Sequence, residues 1–180
     1  MLRYCFFVVV GAETRYASSA AYHIAYQVHG DGPLTLLSLD QWPSHCEADW
    51  EEVWYSRQLE GLGRFARVIR FDVRGSGLSD PVQPGTAPSV EDWADDAVAV
   101  LDEAGVHQVA LWAGGTSSPF AIHFAAREST RVQALVLSDP FARLRYAPDH
   151  LLGFRTKAST SCSKRSGRVG GPASSSTSRA

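Results

Sequence analysis

The chain has 180 residues, 44% of them hydrophobic and 20% charged, enough apolar material for one domain with a buried core. Its formal net charge of −2 conceals a split: the first 154 residues carry 11 basic and 19 acidic side chains, −8, and the last 26 carry six basic residues and no acid, +6. An acidic body argues against a nucleic-acid-binding face, which needs clustered Lys and Arg, and three cysteines (Cys5, Cys46, Cys162) without Cys-x-x-Cys spacing argue against a zinc site or a disulfide framework.

Odd, unspaced cysteines fit a reducing compartment, so the expected location is cytoplasmic. The opening MLRYCFFVVVGA has one Arg before a short apolar run, a faint likeness to a signal peptide, but the run is far too short to span a bilayer. Residues 1–12 are therefore read as an N-terminal extension, and no membrane contact is expected. Next, HIAYQV (His23 to Val28) reads as a strand, HGDGP as a turn, and LTLLSL (Leu34 to Leu39) as a second strand, a hairpin-like pair. A helix is expected from near Glu47, where Trp50, Val53, Trp54, Tyr55, Leu59 and Leu62 recur at three- and four-residue spacing. RVIRF (Arg67 to Phe71) is a buried strand. Ser89 is a good N-cap, and Val90, Trp93, Ala94, Ala97, Val98 and Leu101 trace the stripe of an amphipathic helix that Gly105 ends.

VALWA (Val109 to Ala113) is a further strand, a helix starts near Thr116 or Ser117 and runs to about Arg127, and ALVLS (Ala134 to Ser138) is the last strand before Asp139 and Pro140. Strands alternating with helices are the grammar of a parallel sheet with helices on both faces. From about Arg155 the pattern stops. The last 26 residues, rich in Ser, Arg, Gly and Ala, hold no apolar period and are read as a disordered tail. Their composition also fits a GC-rich gene read out of frame.

FDVRGSGLSD (Phe71 to Asp80) resembles the D-x-R-G-x-G-x-S-D loop that follows the fourth strand in α/β-hydrolases. The resemblance extends over ETRYA, HIAYQVHGDGP, WPSH, VEDWADDAVAVLDEAGV and RVQALVLSDPFARL, together about residues 13 to 145. It implies an α/β fold, with a mostly parallel sheet, in a domain spanning residues 13–154. The fold is expected to be incomplete, because the chain leaves the family's pattern near Phe154. It also implies a chemistry in which a nucleophile on a tight strand-to-helix turn is activated by a distant histidine that an acid orients. Small residues two before and two after that nucleophile allow the turn.

Laid on this chain without gaps, the turn falls on Ala113, Gly114, Gly115, Thr116 and Ser117, with Gly115 in the nucleophile's position. A frame shifted by two residues puts Ser117 there instead. Yet Ser117 and Ser118 have an ordinary role at the start of a helix, where Pro119 is also tolerated. By the same resemblance the backbone N–H groups of Trp42 and Thr116 correspond to the oxyanion hole, with Gln41 where the family has a glycine. Asp139 stands where some branches take their acid, but the favoured reading is a turn-forming Asp before Pro140. His150, the only histidine after the elbow helix, falls where the family's cap begins, and is read as a loop residue. His45 is read as packing near the cleft and His123 as a helix-face residue. Asp72, Arg74, Gly75, Gly77 and Asp80 are read as structural, the glycines permitting positive φ and the charged pair tying the loop. No residue is assigned as catalytic, and no metal or cofactor is implied.

Three readings follow. The first is an α/β-hydrolase-like protein of ester-hydrolase ancestry that no longer catalyses. The second is a binding or assembly module, because ending the sheet at ALVLS leaves an apolar edge for a second copy or a separately encoded C-terminal half. The third is a residual esterase using Ser117 and a histidine from a partner.

Overall fold

The computed structural model describes residues 11–39, 43–143 and 148. Along them run β1 (Thr14–Ser19), β2 (Tyr22–His29), β3 (Leu34–Leu39), α1 (Val53–Gly63), β4 (Ala66–Phe71), α2 (Val90–Glu103), β5 (Val109–Gly114), α3 (Ser118–Arg127) and β6 (Val132–Ser138). Short 3-10 turns occupy Ala48–Trp50 and Gly115–Ser117. The domain boundary expected at residue 154 and the tail after it lie outside the described residues.

The six strands form one sheet in the order β1-β2-β4-β3-β5-β6. β1 with β2 and β2 with β4 are antiparallel, while β4, β3, β5 and β6 run parallel. Parallel neighbours need a crossover, and helices supply it: α1 joins β3 to β4, α2 joins β4 to β5, and α3 joins β5 to β6. The hairpin expected between β2 and β3 does not form. β4 lies between them, and β2 turns back on β1, a strand the periodicity did not disclose because its inward side chains are the small Ala17 and Ser19.

Alternation along the strands sends side chains to two covered faces. On one, Ile24, Leu37, Ile69 and Leu111 pack under α2 and α3, where Phe120 meets Phe71, Trp93 and Phe124 edge-on at centroid distances of 6.5, 6.0 and 6.1 Å. On the other, Leu36, Val68 and Ala110 pack with Leu62 of α1. The helices therefore cover both faces. α2 has strong local stops: Ser89 and Asp92 form a reciprocal capping box, and at the other end Val106 N–H donates to Leu101 O (2.8 Å) and Gly105 N–H to Asp102 O (3.0 Å).

The first helix starts later than its spacing predicts. Trp50 belongs to the preceding 3-10 turn, and its Nε1 donates to Oε1 of the buried Gln27 (2.8 Å). Val53 and Trp54 face outward, 63% and 75% exposed, while Ser56, Leu59 and Leu62 are buried. Another departure is Arg70, buried inside β4, which pairs with Asp49 and lies 5.3 Å from the centroid of the Tyr55 ring.

Candidate active site

β3, β5 and β6 end side by side, and Leu39, Gly114 and Ser138 at their tips line one groove of about 630 Å³ together with Trp54, Tyr55 and Trp112. Parallel strands place their carboxyl ends on one side of the sheet, which is where ligands gather in such folds.

Between β5 and α3 the backbone bends sharply. Gly114 is extended (φ −132, ψ 153), Gly115 has φ +47, and Ser117 is already helical (φ −86, ψ −9). The left-handed residue at the tip is thus Gly115, and no side chain projects from it. Ser117 lies two residues on, buried in the first turn leading into α3, and its side chain does not cap that helix. Thr116 is exposed. Pro119 occupies the first turn of α3, where its missing N–H costs nothing. Asp139 is exposed and left-handed (φ +48), a conformation Asp tolerates better than most side chains. Trp42, Gln41 and His150 lie outside the described residues.

Three of the described histidines have local hydrogen-bond partners. His45 accepts the Ala48 N–H on Nδ1 (3.2 Å), His29 Nε2 lies 3.1 Å from Leu59 O, and His23 Nδ1 lies 3.0 Å from Asp80 Oδ2. His123 is half-buried on α3.

The loop after β4 braces the loop that carries Pro43 to the groove. Asp72 is fully buried, and its carboxylate accepts N–H groups from Cys46 (3.0 and 3.1 Å) and Leu78 (2.9 Å). Ser76 Oγ accepts from Ser44 N–H (3.2 Å) and donates to Ser44 O (3.0 Å). These bonds tie the described end of the loop following β3 to the loop following β4. Gly77 (φ +52) sits so close to Asp72 that a Cβ there would lie 2.1 Å from Oδ2.

Arg74 ties the loop to α2, donating from Nε and Nη2 to the fully buried Asp96 (2.9 and 2.6 Å) and from Nη1 to Asp92 (3.0 Å), with the Tyr22 ring 4.7 Å away. The spacing of Asp92 and Asp96, one helical turn apart on one face, is the signal that could have pointed to this clamp.

Asp80 is held below the usual carboxylate range, first by the His23 backbone N–H (2.7 Å) and then by the His23 ring. Asp92 is held down by the Ser89 N–H (2.8 Å), then by the Ser89 hydroxyl (2.8 Å). Depressed folded values mean that this stabilisation is complete above the unfolded carboxylate value of about 4 and is lost as pH falls through the folded values. The melting temperature is therefore expected to fall below about pH 4, and less steeply in Asp80→Asn with Asp92→Asn, as followed by circular dichroism.

A family model described as the alpha/beta hydrolase fold matches residues 44–158. The chain belongs to the α/β-hydrolase fold family. It is 30% identical over 131 residues to the 2-hydroxymuconate semialdehyde hydrolase of Pseudomonas sp. (strain CF600), a match covering 72% of this chain and 41% of that protein. A thermophilic esterase from Thermogutta terrifontis superposes with a TM-score of 0.61 at 27% identity, over 77% of this chain and 49% of the esterase. The bromoperoxidase of Bacillus anthracis shares the fold, with a TM-score of 0.62 at 22% identity over 78% and 50% of the two chains. This α/β-hydrolase chain thus spans less than half the length of the curated relative it matches. Among the described residues no helix is long and apolar enough to cross a membrane, and no group of three or more His, Cys, Asp or Glu is placed to hold a metal ion.

Proposed function

We propose that this protein is a catalytically silent α/β-hydrolase-fold protein of ester-hydrolase ancestry. One observation carries the reading: the left-handed tip of the bend between β5 and α3 is Gly115. Acyl transfer by this fold begins with attack by a side-chain oxygen or sulfur held at that tip, and a hydrogen atom has no lone pair to offer. A backbone donor such as the Thr116 N–H would still polarise a bound carbonyl, but such donors alone leave only a small residual rate.

Hydrolysis of a short-chain aryl ester by the wild type and by Ser117→Ala tests this. Equal rates at the level of the uncatalysed reaction are expected. A wild-type rate well above it that disappears in Ser117→Ala would overturn the reading in favour of a residual esterase working through Ser117 and a partner's histidine.

A second reading is favoured by β6, whose central residues Gln133 to Val136 are exposed on both faces. In it the domain works as an assembly module, and another chain pairs with this edge.

A further inference from the structure

We propose that Ser18 is an acyl-acceptor site, where His23, oriented by Asp80, activates the serine hydroxyl towards an activated carboxylic ester. The three side chains belong to β1, β2 and the loop after β4. They sit at the β1 end of the sheet, with β4 and β3 standing between β2 and the β5 strand that leads to Gly115.

Asp80 is tied to His23 three times. Its N–H donates to His23 O (3.0 Å), its Oδ2 accepts the His23 N–H (2.7 Å), and the same oxygen lies 3.0 Å from His23 Nδ1. These bonds favour the carboxylate form of Asp80, and a carboxylate only accepts, so the shared proton sits on Nδ1. In the neutral ring Nε2 then keeps its lone pair, which is the tautomer a general base needs. The ring reaches out into solvent, with 66% of the side chain exposed.

Ser18 stands directly across the β1–β2 ladder from His23. Opposite residues share a face of the sheet, with Cβ atoms about 5 Å apart. The adjacent pair, Ala17 and Ile24, turns to the core, so Ser18 and His23 both face outward. The Ser18 hydroxyl has no hydrogen-bond partner among the described residues, and it can rotate to Nε2 without breaking a bond. Tyr16, two residues back on the same face and 51% exposed, offers a ring for an aromatic leaving group to lie against.

In the step, Ser18 Oγ bonds to the ester's carbonyl carbon and the bond from that carbon to the aryloxide breaks. Nε2 takes the hydroxyl proton and passes it to the departing aryloxide, and nothing is oxidised or reduced. Successive amides of a strand point to opposite sides, so no converging pair is held beside Ser18 to assist a second attack by water. The acyl group therefore stays on the serine, and the site is independent of the silence at Gly115.

Added to the full chain, p-nitrophenyl acetate is expected to release a burst of about one equivalent of nitrophenol, with the acetyl group found on Ser18 by mass spectrometry. Ser18→Ala is expected to remove the burst with an unchanged circular dichroism spectrum, and Ser117→Ala to leave it intact. His23→Gln is expected to slow acetylation of Ser18 by about a hundredfold. Asp80 is a positioning residue, so Asp80→Asn is expected to lower the rate constant by roughly tenfold at full burst amplitude, whereas loss of folded protein would lower the amplitude. Acetylation of Ser18 at equal rates in the wild type and His23→Gln overturns the site, as does a burst that survives Ser18→Ala. A burst that Ser117→Ala abolishes belongs to the bend at Gly115 and overturns it too.

Discussion

Arg74→Ala is expected to destabilise the folded chain by about 3–5 kcal/mol. Asp96 has no exposed surface, and two of the Arg74 nitrogens hold its carboxylate at 2.9 and 2.6 Å. Removing the guanidinium leaves a buried anion with neither water nor counter-charge, and also unties the β4 loop from α2. The pairing raises the Arg74 pKa further, through the Asp96 hydrogen bond before any other influence, so the arginine stays charged at every pH of interest. Urea unfolding followed by tryptophan fluorescence measures the loss. Replacing both partners, Arg74→Met with Asp96→Leu, is expected to recover most of it, because the cost arises from stranding one charge and not from lacking the pair. A double variant as unstable as the single one would show that the loop needs the ion pair itself.

Gly77→Ala is expected to cost about 4 kcal/mol or more, in the range reserved for strain at a special backbone site. The added methyl would lie 2.1 Å from Asp72 Oδ2 and 2.8 Å from Ser44 O, at φ +52, so it meets the carboxylate and the neighbouring loop together. Relief requires Asp72 to move, and that movement releases the Cys46 and Leu78 amides it accepts. Gly61→Ala is the control. Nothing lies within 4 Å of its Cβ position, and in a helix the change is expected to be neutral or stabilising by up to about 1 kcal/mol. Equal unfolding midpoints for the two variants would mean that the Asp72 cradle yields without cost.

Much of the architecture was legible because apolar spacing and helix stops agree. Ser89 and Gly105 bracket α2 in the structure as they do in the sequence, and the LTLLSL strand has the same limits in both. What failed was pairing. A five-residue turn between two strands reads as a hairpin, yet the Tyr26 to His29 stretch of β2 finds its register on β4, forty residues further on. Local spacing carries no information about a strand inserted from so far along the chain. Trp54 failed for a related reason: periodicity marks which residues share a helix face, but a large aromatic facing a groove looks the same as one facing the core.

At the site, the sequence reading of the bend rests on small residues and the helix pattern around it, and in the structure Gly115 has a left-handed backbone. The scaffold around it was less readable. D-x-R-G-x-G-x-S-D marks its residues as structural, but that Asp72 grips the loop after β3 while Arg74 grips α2 depends on contacts 26 and 22 residues apart in the chain. Arg70 and Asp49 gave no signal at all, since a charged residue in a strand is read as facing solvent.

The bend at Gly115 also bears on how the chain could evolve. Any residue with a Cβ held at φ +47 carries a conformational penalty of order 1 kcal/mol, which an enzyme tolerates in return for a reactive group at the tip. Glycine removes that penalty. Under the proposed silent reading, a chain with glycine at this position is free of the compromise between steadiness and reactivity, and a Gly115→Ser change would have to draw on stability gained elsewhere before it offered any chemical advantage.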